Sequence, residues 1–123
     1  MVQQPNDPAR AGDLLAQRRI AAEERAAGVA EVLAHLGGLR DSAGGDDEHD
    51  PEGVPLSEEW ARLVAQRDAA EHEVREIAAA QARLAEGRYG ICIDCGREIP
   101  QGRLDVLPFA LRCVPCAEKA GSR

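Results

Sequence analysis

Apolar residues recur at every seventh position along two segments of this chain, a pattern typical of helices that pack along a shared seam. The two regular rows consist of Leu15, Ala22, Val29 and Leu36, and of Leu63, Ala70, Ile77 and Leu84. A partner row is less regular in both segments, and its apolar members are Val32, Leu39, Trp60 and Val74. The pattern predicts two helices, at about residues 8–39 and 57–86.

The ends of both predicted helices carry local signals. Asp7 can cap the first helix, with Pro8 at its first position, and Gly37-Gly38 is expected to end it. Ser57 is expected to cap the second helix, with the two glutamates that follow it in the first turn, where the helix dipole favours anions. Gly87 is placed to stop this helix.

The segment between the helices, about residues 40–56, is rich in glycine, proline and acidic residues and predicts a turn. The two apolar faces can meet across such a turn only if the helices run antiparallel. Each helix of about 30 residues is about 45 Å long, so the turn would lie roughly 40–45 Å from the base of the hairpin. From Asp41 to Glu59 the chain has eight acidic residues and no lysine or arginine. The candidate partner-binding residues of this acidic tip are Asp46, Asp47, Glu48, Asp50 and Glu52.

The cysteines form two C-x₂-C pairs separated by seventeen residues, and they are Cys92, Cys95, Cys113 and Cys116. Two such pairs at this spacing are typical of a structural zinc site with four thiolate ligands. We therefore predict one Zn²⁺ per chain, bound by all four. Two disulfides would suit a secreted protein, but the first residues carry no basic stretch followed by an apolar run. Iron in the same cage and a redox-active pair remain alternatives.

Composition limits the size of the core and the kind of partner. Aromatic residues make up 2% of the 123 residues, and the formal net charge is −7. A chain with so few large side chains cannot build a thick hydrophobic core, but it can form a helical hairpin with a small module stabilised by a metal ion. An acidic chain is a poor binder of phosphate backbones, so we expect a protein partner and no direct nucleic-acid binding.

The sequence therefore predicts a mainly α fold: a flexible arm (1–7), an antiparallel two-helix hairpin (8–86) and a C4 zinc finger (87–123) with a short C-terminal helix. The apolar residues expected to fill the finger are Leu104, Val106, Leu107 and Phe109. No set of nucleophile, base and acid is recognisable, and four cysteine ligands leave zinc no open position for water, so we do not expect an enzyme. No apolar run could span a membrane, and we expect a cytoplasmic monomer.

The segment GRYGICIDCGREIPQGRLDVLPFALRCVPCAEKA resembles the C-terminal zinc finger of the DksA/TraR family. The resemblance rests on Tyr89-Gly90 before the first pair, on Gly96 after it, and on an R-L-x-x-x-P motif that begins at Arg103. It implies a bacterial regulator that binds RNA polymerase, with the hairpin in the secondary channel of the enzyme and the acidic tip near its catalytic region.

The family's tip motif, D-x-x-D-x-A, falls near residues 49–54, which read H-D-P-E-G-V. Some members act with ppGpp. The positions that would supply basic contacts to it are Glu76, Leu107 and Ala117 here, so no ppGpp site is expected. Two alternatives stay open. One is a protein-interaction or redox-sensing module of the same fold without polymerase activity, and the other is a nucleic-acid-binding finger.

Overall fold

The computed structural model describes residues 7–42 and 53–121, which form four helices. Helix α1 spans Pro8–Ser42 and helix α2 spans Gly53–Ala85, while the short helices α3 and α4 span Gln101–Val106 and Val114–Gly121. Ile91 and Glu98 form an isolated antiparallel β-bridge between α2 and α3. The predicted fold class, a helical hairpin followed by a small four-cysteine module, is confirmed. None of the described helices is long and apolar enough to cross a membrane.

The first helix begins as predicted, and the second begins earlier. The Asp7 side chain accepts a hydrogen bond from the Ala9 N–H (3.2 Å), as an N-cap does. Helix α2 starts at Gly53 rather than after Ser57, so the glutamates that follow Ser57 lie in its second turn. Pro55 lies in the first turn of this helix, where its missing N–H is tolerated because the first N–H groups have no partner within the helix.

Gly37-Gly38 does not end helix α1, which continues to Ser42. A glycine inside a helix costs about 1 kcal/mol relative to alanine, which tertiary packing can offset. Gly37 lies against the indole of Trp60, since a Cβ placed on it would be 3.6 Å from the ring. Gly37 therefore packs against the ring of the neighbouring helix with room for a Cβ at ordinary van der Waals distance.

The chain divides into two compact units, residues 1–20 with 74–123, and residues 21–73. In the first unit, the beginning of α1 runs antiparallel to the end of α2 and buries Ala11, Leu15, Ile77 and Ala80. In the second unit, the rest of the two helices buries Ala22, Leu33, Leu63 and Ala70. Each unit thus has its own share of the seam.

The predicted partner row of helix α1 is wrong by one position. Val32 is 45% exposed, whereas its neighbour Leu33 is 4% exposed. The actual row runs through Leu33 at seven-residue intervals, and its other members, all half-buried, are Gly12, Arg19 and Ala26. Those residues are small or charged, so the row carries almost no hydrophobic signal in the sequence. In α2 the predicted rows agree with the burial, since Leu63, Ala70 and Ile77 are buried and the partner positions are half-buried.

Polar contacts join the two long helices within each unit. In the first unit, the Arg19 guanidinium donates to the side-chain oxygen of Gln81 at 2.7 Å, in a partly buried position of the seam. In the second unit, Arg25 forms an ion pair with Glu73 at 2.8 Å. Arg19 and Gln81 are polar residues at seam positions that are otherwise mainly apolar or small. Because each needs the other as a hydrogen-bond partner, their contact favours one register of the two helices.

The finger in the first unit has a small core of its own. Its buried residues are Cys92, Ile99, Leu104 and Ala110, with Tyr89 and Leu107 packed against them. Phe109 is also buried, and the Arg18 guanidinium lies over its ring, 5.9 Å from the centroid. Val106 was expected in this core, but it is 75% exposed at the end of α3. The core is instead completed by Ile99, which the β-bridge segment brings inward.

Candidate metal centre

The first cysteine pair lies on a tight turn that follows the end of helix α2. The Gly96 N–H donates to the carbonyl of Cys92 at 3.0 Å, and the Cys92 N–H donates to the carbonyl of Arg97 at 2.8 Å. Gly96 has φ = +75°, a left-handed conformation that side chains disfavour. The glycine expected after the first pair therefore closes the turn that presents Cys92 and Cys95.

The second pair lies where helix α4 begins. Cys113 immediately precedes Val114, the first residue of α4, and Cys116 lies in its first turn. The Ala117 N–H donates to the Cys113 carbonyl at 2.9 Å, as expected in a helix that starts at this point. The helix thus fixes the direction in which both sulfur atoms project.

Two contacts hold the cysteine turns side by side. The Ile93 N–H, within the first pair, donates to the Leu111 carbonyl at 2.9 Å. The Arg112 guanidinium, next to the second pair, binds the Asp94 carboxylate at 2.7 Å. Because Ile93 and Asp94 lie between the first two cysteines, both contacts align one turn with the other.

The four Sγ atoms of Cys92, Cys95, Cys113 and Cys116 all lie within 4.8 Å of one another. Cys95 Sγ and Cys113 Sγ are 3.8 Å apart. With Zn–S bonds of about 2.3 Å, a tetrahedral site needs sulfur atoms about 3.8 Å apart. The geometry and the all-thiol donor set therefore suit one Zn²⁺, which confirms the predicted cofactor. A site with four protein ligands is closed, so the zinc it binds serves structure.

The surroundings of the thiols differ within the cluster. The backbone N–H of Cys95, with those of Cys113 and Asp94, lowers the pKa of Cys92 to about 6 despite burial of that thiol. Hydrogen bonding to Cys113, reinforced by burial, raises the pKa of Cys116 to about 12. Backbone donors thus favour a thiolate at Cys92 before a metal binds, and the positive charge of zinc would favour ionisation of Cys116.

Two half-buried arginines contact the backbone beside the cysteine pairs. Arg83, in the last turn of α2, donates to the carbonyls of Arg88 (3.1 Å) and Ile91 (2.9 Å). Arg103, in α3, donates through Nε to the carbonyl of Arg112 at 2.8 Å. The R-L-x-x-x-P motif drew attention to Arg103, but no signal in the sequence singles out Arg83, which lies in a helix rich in arginine.

The predicted acidic tip lies outside the described residues. Its members, Asp46, Asp47, Glu48, Asp50 and Glu52, fall between Ser42 and Gly53, the residues at which α1 ends and α2 begins. They therefore remain a prediction from the sequence.

A helical hairpin followed by a closed four-cysteine finger defines a class of small zinc-containing proteins. Within this class, residues 87–120 match the family model described as the prokaryotic dksA/traR C4-type zinc finger. The chain thus carries a finger of the DksA/TraR type, which confirms the resemblance found in the sequence.

Individual proteins show the same likeness. An uncharacterized protein of Aquifex aeolicus is 46% identical over 46 residues, which cover 37% of this chain and 32% of that protein. This chain therefore matches about a third of that relative's length.

Two solved structures are also similar. The structure of transcription factor DksA2 from Pseudomonas aeruginosa has a TM-score of 0.75 and 23% identity, covering 94% of this chain and 84% of that one. An RNA polymerase binding protein and transcriptional regulator Dks from Chlamydia trachomatis has a TM-score of 0.43 and 33% identity, covering 57% of this chain and 82% of that one. The first of these likenesses shows that the chain shares the DksA fold.

Proposed function

We propose that this protein is a transcription regulator of the DksA/TraR type that binds bacterial RNA polymerase through its helical hairpin and acidic tip. The observation that carries the proposal is the dksA/traR C4-type finger at residues 87–120, because this segment matches a family and not merely a fold. The fold shared with a transcription factor over 94% of the chain is consistent with the proposal.

The negative charge of the predicted tip is the reason for assigning it a role in binding. The acidic run lies between the two long helices, and an acidic chain is poorly suited to binding nucleic acid directly. Carboxylates can instead pair with basic groups of a protein or approach a metal-dependent active site. We therefore infer that Asp46, Asp47, Glu48, Asp50 and Glu52 act on the polymerase.

The test is a binding assay with purified bacterial RNA polymerase, followed by transcription from a set of promoters in vitro. We expect saturable binding at micromolar concentration or below. A variant with all five tip residues neutralised, D46N/D47N/E48Q/D50N/E52Q, should lose its effect on promoter output. Absence of binding at micromolar concentration would contradict the proposal and favour an interaction module of the same fold.

The control removes the same charge elsewhere in the protein. Five exposed acidic residues of the helices and finger serve this purpose: Asp13, Glu24, Glu31, Glu71 and Glu98. If the tip acts by position, neutralising these five leaves promoter output close to that of the unmodified protein. Equal losses in the two variants would instead indicate that net charge, and not the tip, governs the effect.

A further inference from the structure

Each cysteine pair follows a peptide group whose carbonyl accepts a hydrogen bond from a half-buried arginine. Ile91 immediately precedes Cys92, and its carbonyl accepts from Arg83 at 2.9 Å. Arg112 immediately precedes Cys113, and its carbonyl accepts from Arg103 at 2.8 Å. The same arrangement therefore occurs at both turns, although the two arginines come from different helices.

A hydrogen bond to these carbonyls constrains the cysteines because a peptide group is planar. The plane that contains the Ile91 carbonyl also contains the N–H and Cα of Cys92. This plane is held at both ends, since Arg83 binds its oxygen and the Arg97 carbonyl accepts its N–H at 2.8 Å. Fixing the plane limits the directions in which the Cys92 side chain can leave the backbone.

The peptide plane before the second pair is held at its oxygen. Arg103 binds the oxygen of the peptide that joins Arg112 to Cys113, while the Arg112 side chain itself is held by Asp94 at 2.7 Å. Two half-buried guanidinium groups, each bound to a carbonyl, place the first cysteine of each pair.

We propose that Arg83 and Arg103 are positioning residues of the zinc site, which set the orientation of the two cysteine turns before and after zinc binds. Residues that orient metal ligands contribute to metal affinity, and their loss typically weakens binding 10–100-fold. The proposal depends on the four-cysteine site and not on any action on polymerase.

The experiment compares zinc affinity in the full-length chain and in the variants R83A and R103A, by equilibrium competition with a chromophoric zinc chelator. We expect each variant to bind zinc about 10–100-fold more weakly. The double variant should multiply the two losses, because the arginines act on separate turns. R103K, which keeps a donor and the charge, should recover part of the affinity.

The control is K119A. Lys119 is an exposed cation of helix α4 that lines the same surface cleft as Cys95 and Cys116 and contacts neither cysteine turn in the proposal. If general attraction between a cation and the thiolates were responsible, K119A would weaken zinc binding as much as R103A. The proposal requires K119A to behave like the unmodified protein.

Cobalt substitution adds a readout of geometry. The visible absorption bands of Co²⁺ bound to four thiolates report the symmetry of the site, so they should change in R83A and R103A and stay the same in K119A. Unchanged affinity and spectra in R83A and R103A would overturn the proposal, as would an effect confined to R83A. Far-UV circular dichroism, dominated by α1 and α2, verifies that the hairpin of each variant is folded.

Discussion

Tyr89 closes the finger by joining the chain before the first cysteine pair to the loop before the second. Its hydroxyl donates to the carbonyl of the fully buried Pro108 at 2.6 Å, and its ring packs against the finger core. Burial, with a smaller contribution from Asp105, raises the pKa of Tyr89 above its ordinary value of 10.0. The residue is therefore held neutral, as a donor.

Substitution of Tyr89 by phenylalanine should cost about 1–2 kcal/mol of unfolding free energy, because the buried Pro108 carbonyl loses its partner. Urea denaturation of the zinc-loaded protein would measure the loss. The raised pKa also predicts a pH dependence: the contribution of Tyr89 is complete below pH 10 and declines as the pH rises through its folded pKa. The Y89F variant should lack this alkaline decline, and an identical decline in both proteins would contradict the assignment.

Two glycines are expected to respond to alanine in opposite directions. Gly28 lies inside α1 with open space around its Cα, whereas Gly87 follows α2 with φ = +76°. G28A should stabilise the protein by about 0.5–1 kcal/mol, and G87A should destabilise it by about 1 kcal/mol. Thermal denaturation of the two variants tests this, and a stabilising G87A would be incompatible with the left-handed conformation at residue 87.

The two long helices pack through a seam that is rich in alanine. The register of the helices therefore depends more on side-chain shape and polar contacts than on the burial of large apolar side chains. Leu15 and Ile77 are fully buried, but many other seam positions are alanine or half-buried polar residues. The contact between Arg19 and Gln81 joins residues 62 positions apart in sequence. A polar contact inside an apolar seam typically specifies register at some cost in stability.

Replacing Arg19 or Gln81 singly by leucine should cost about 1 kcal/mol, because the remaining partner loses its hydrogen bond in a partly buried position. Replacing both should recover most of this loss, since two leucines can pack together. A double-mutant cycle by urea denaturation measures the coupling. The more exposed Arg25–Glu73 pair serves as the control, with an expected coupling below about 1 kcal/mol. Additive effects of R19L and Q81L would rule out the proposed coupling.

Zinc binding is expected to supplement the small hydrophobic core of the finger. The core cluster of the finger has four buried residues, one of which is the ligand Cys92. In contrast, the second unit has a core of helical residues from α1 and α2 and contains no cysteine. The two parts of the chain should therefore depend on the metal to different extents.

Removal of zinc by a chelator at neutral pH should expose the amides of residues 88–121 to hydrogen exchange, because metal binding and folding are coupled in small zinc modules. Amides of the second unit, at residues 21–36 and 60–73, should keep most of their protection. Hydrogen exchange with mass spectrometry would resolve these regions. Readdition of Zn²⁺ should restore protection in the finger, and a finger equally protected without metal would show that zinc is dispensable.

Much of this protein could be predicted from local sequence patterns. The spacing of the cysteines predicted the metal site, because each C-x₂-C pair forms its own turn and the surrounding motif is specific. Seven-residue spacing predicted both long helices and the buried row of each. The end of α1 and the start of α2 were less predictable, because glycine and serine are weak end signals that tertiary context can override, and both helices extend beyond them.

The sequence by itself determined the helices, the zinc ligands and the family of the finger, since these depend on residues close together in the chain. Tertiary structure alone decided the phase of the α1 partner row, the exposure of Val106 and the contacts of Arg83 and Arg103 with the cysteine turns. The physical reason is the same in each case. Small side chains in the α1 row give no hydrophobic periodicity that the sequence could reveal. A long arginine side chain can reach many carbonyls, and only the folded structure determines which of them it contacts.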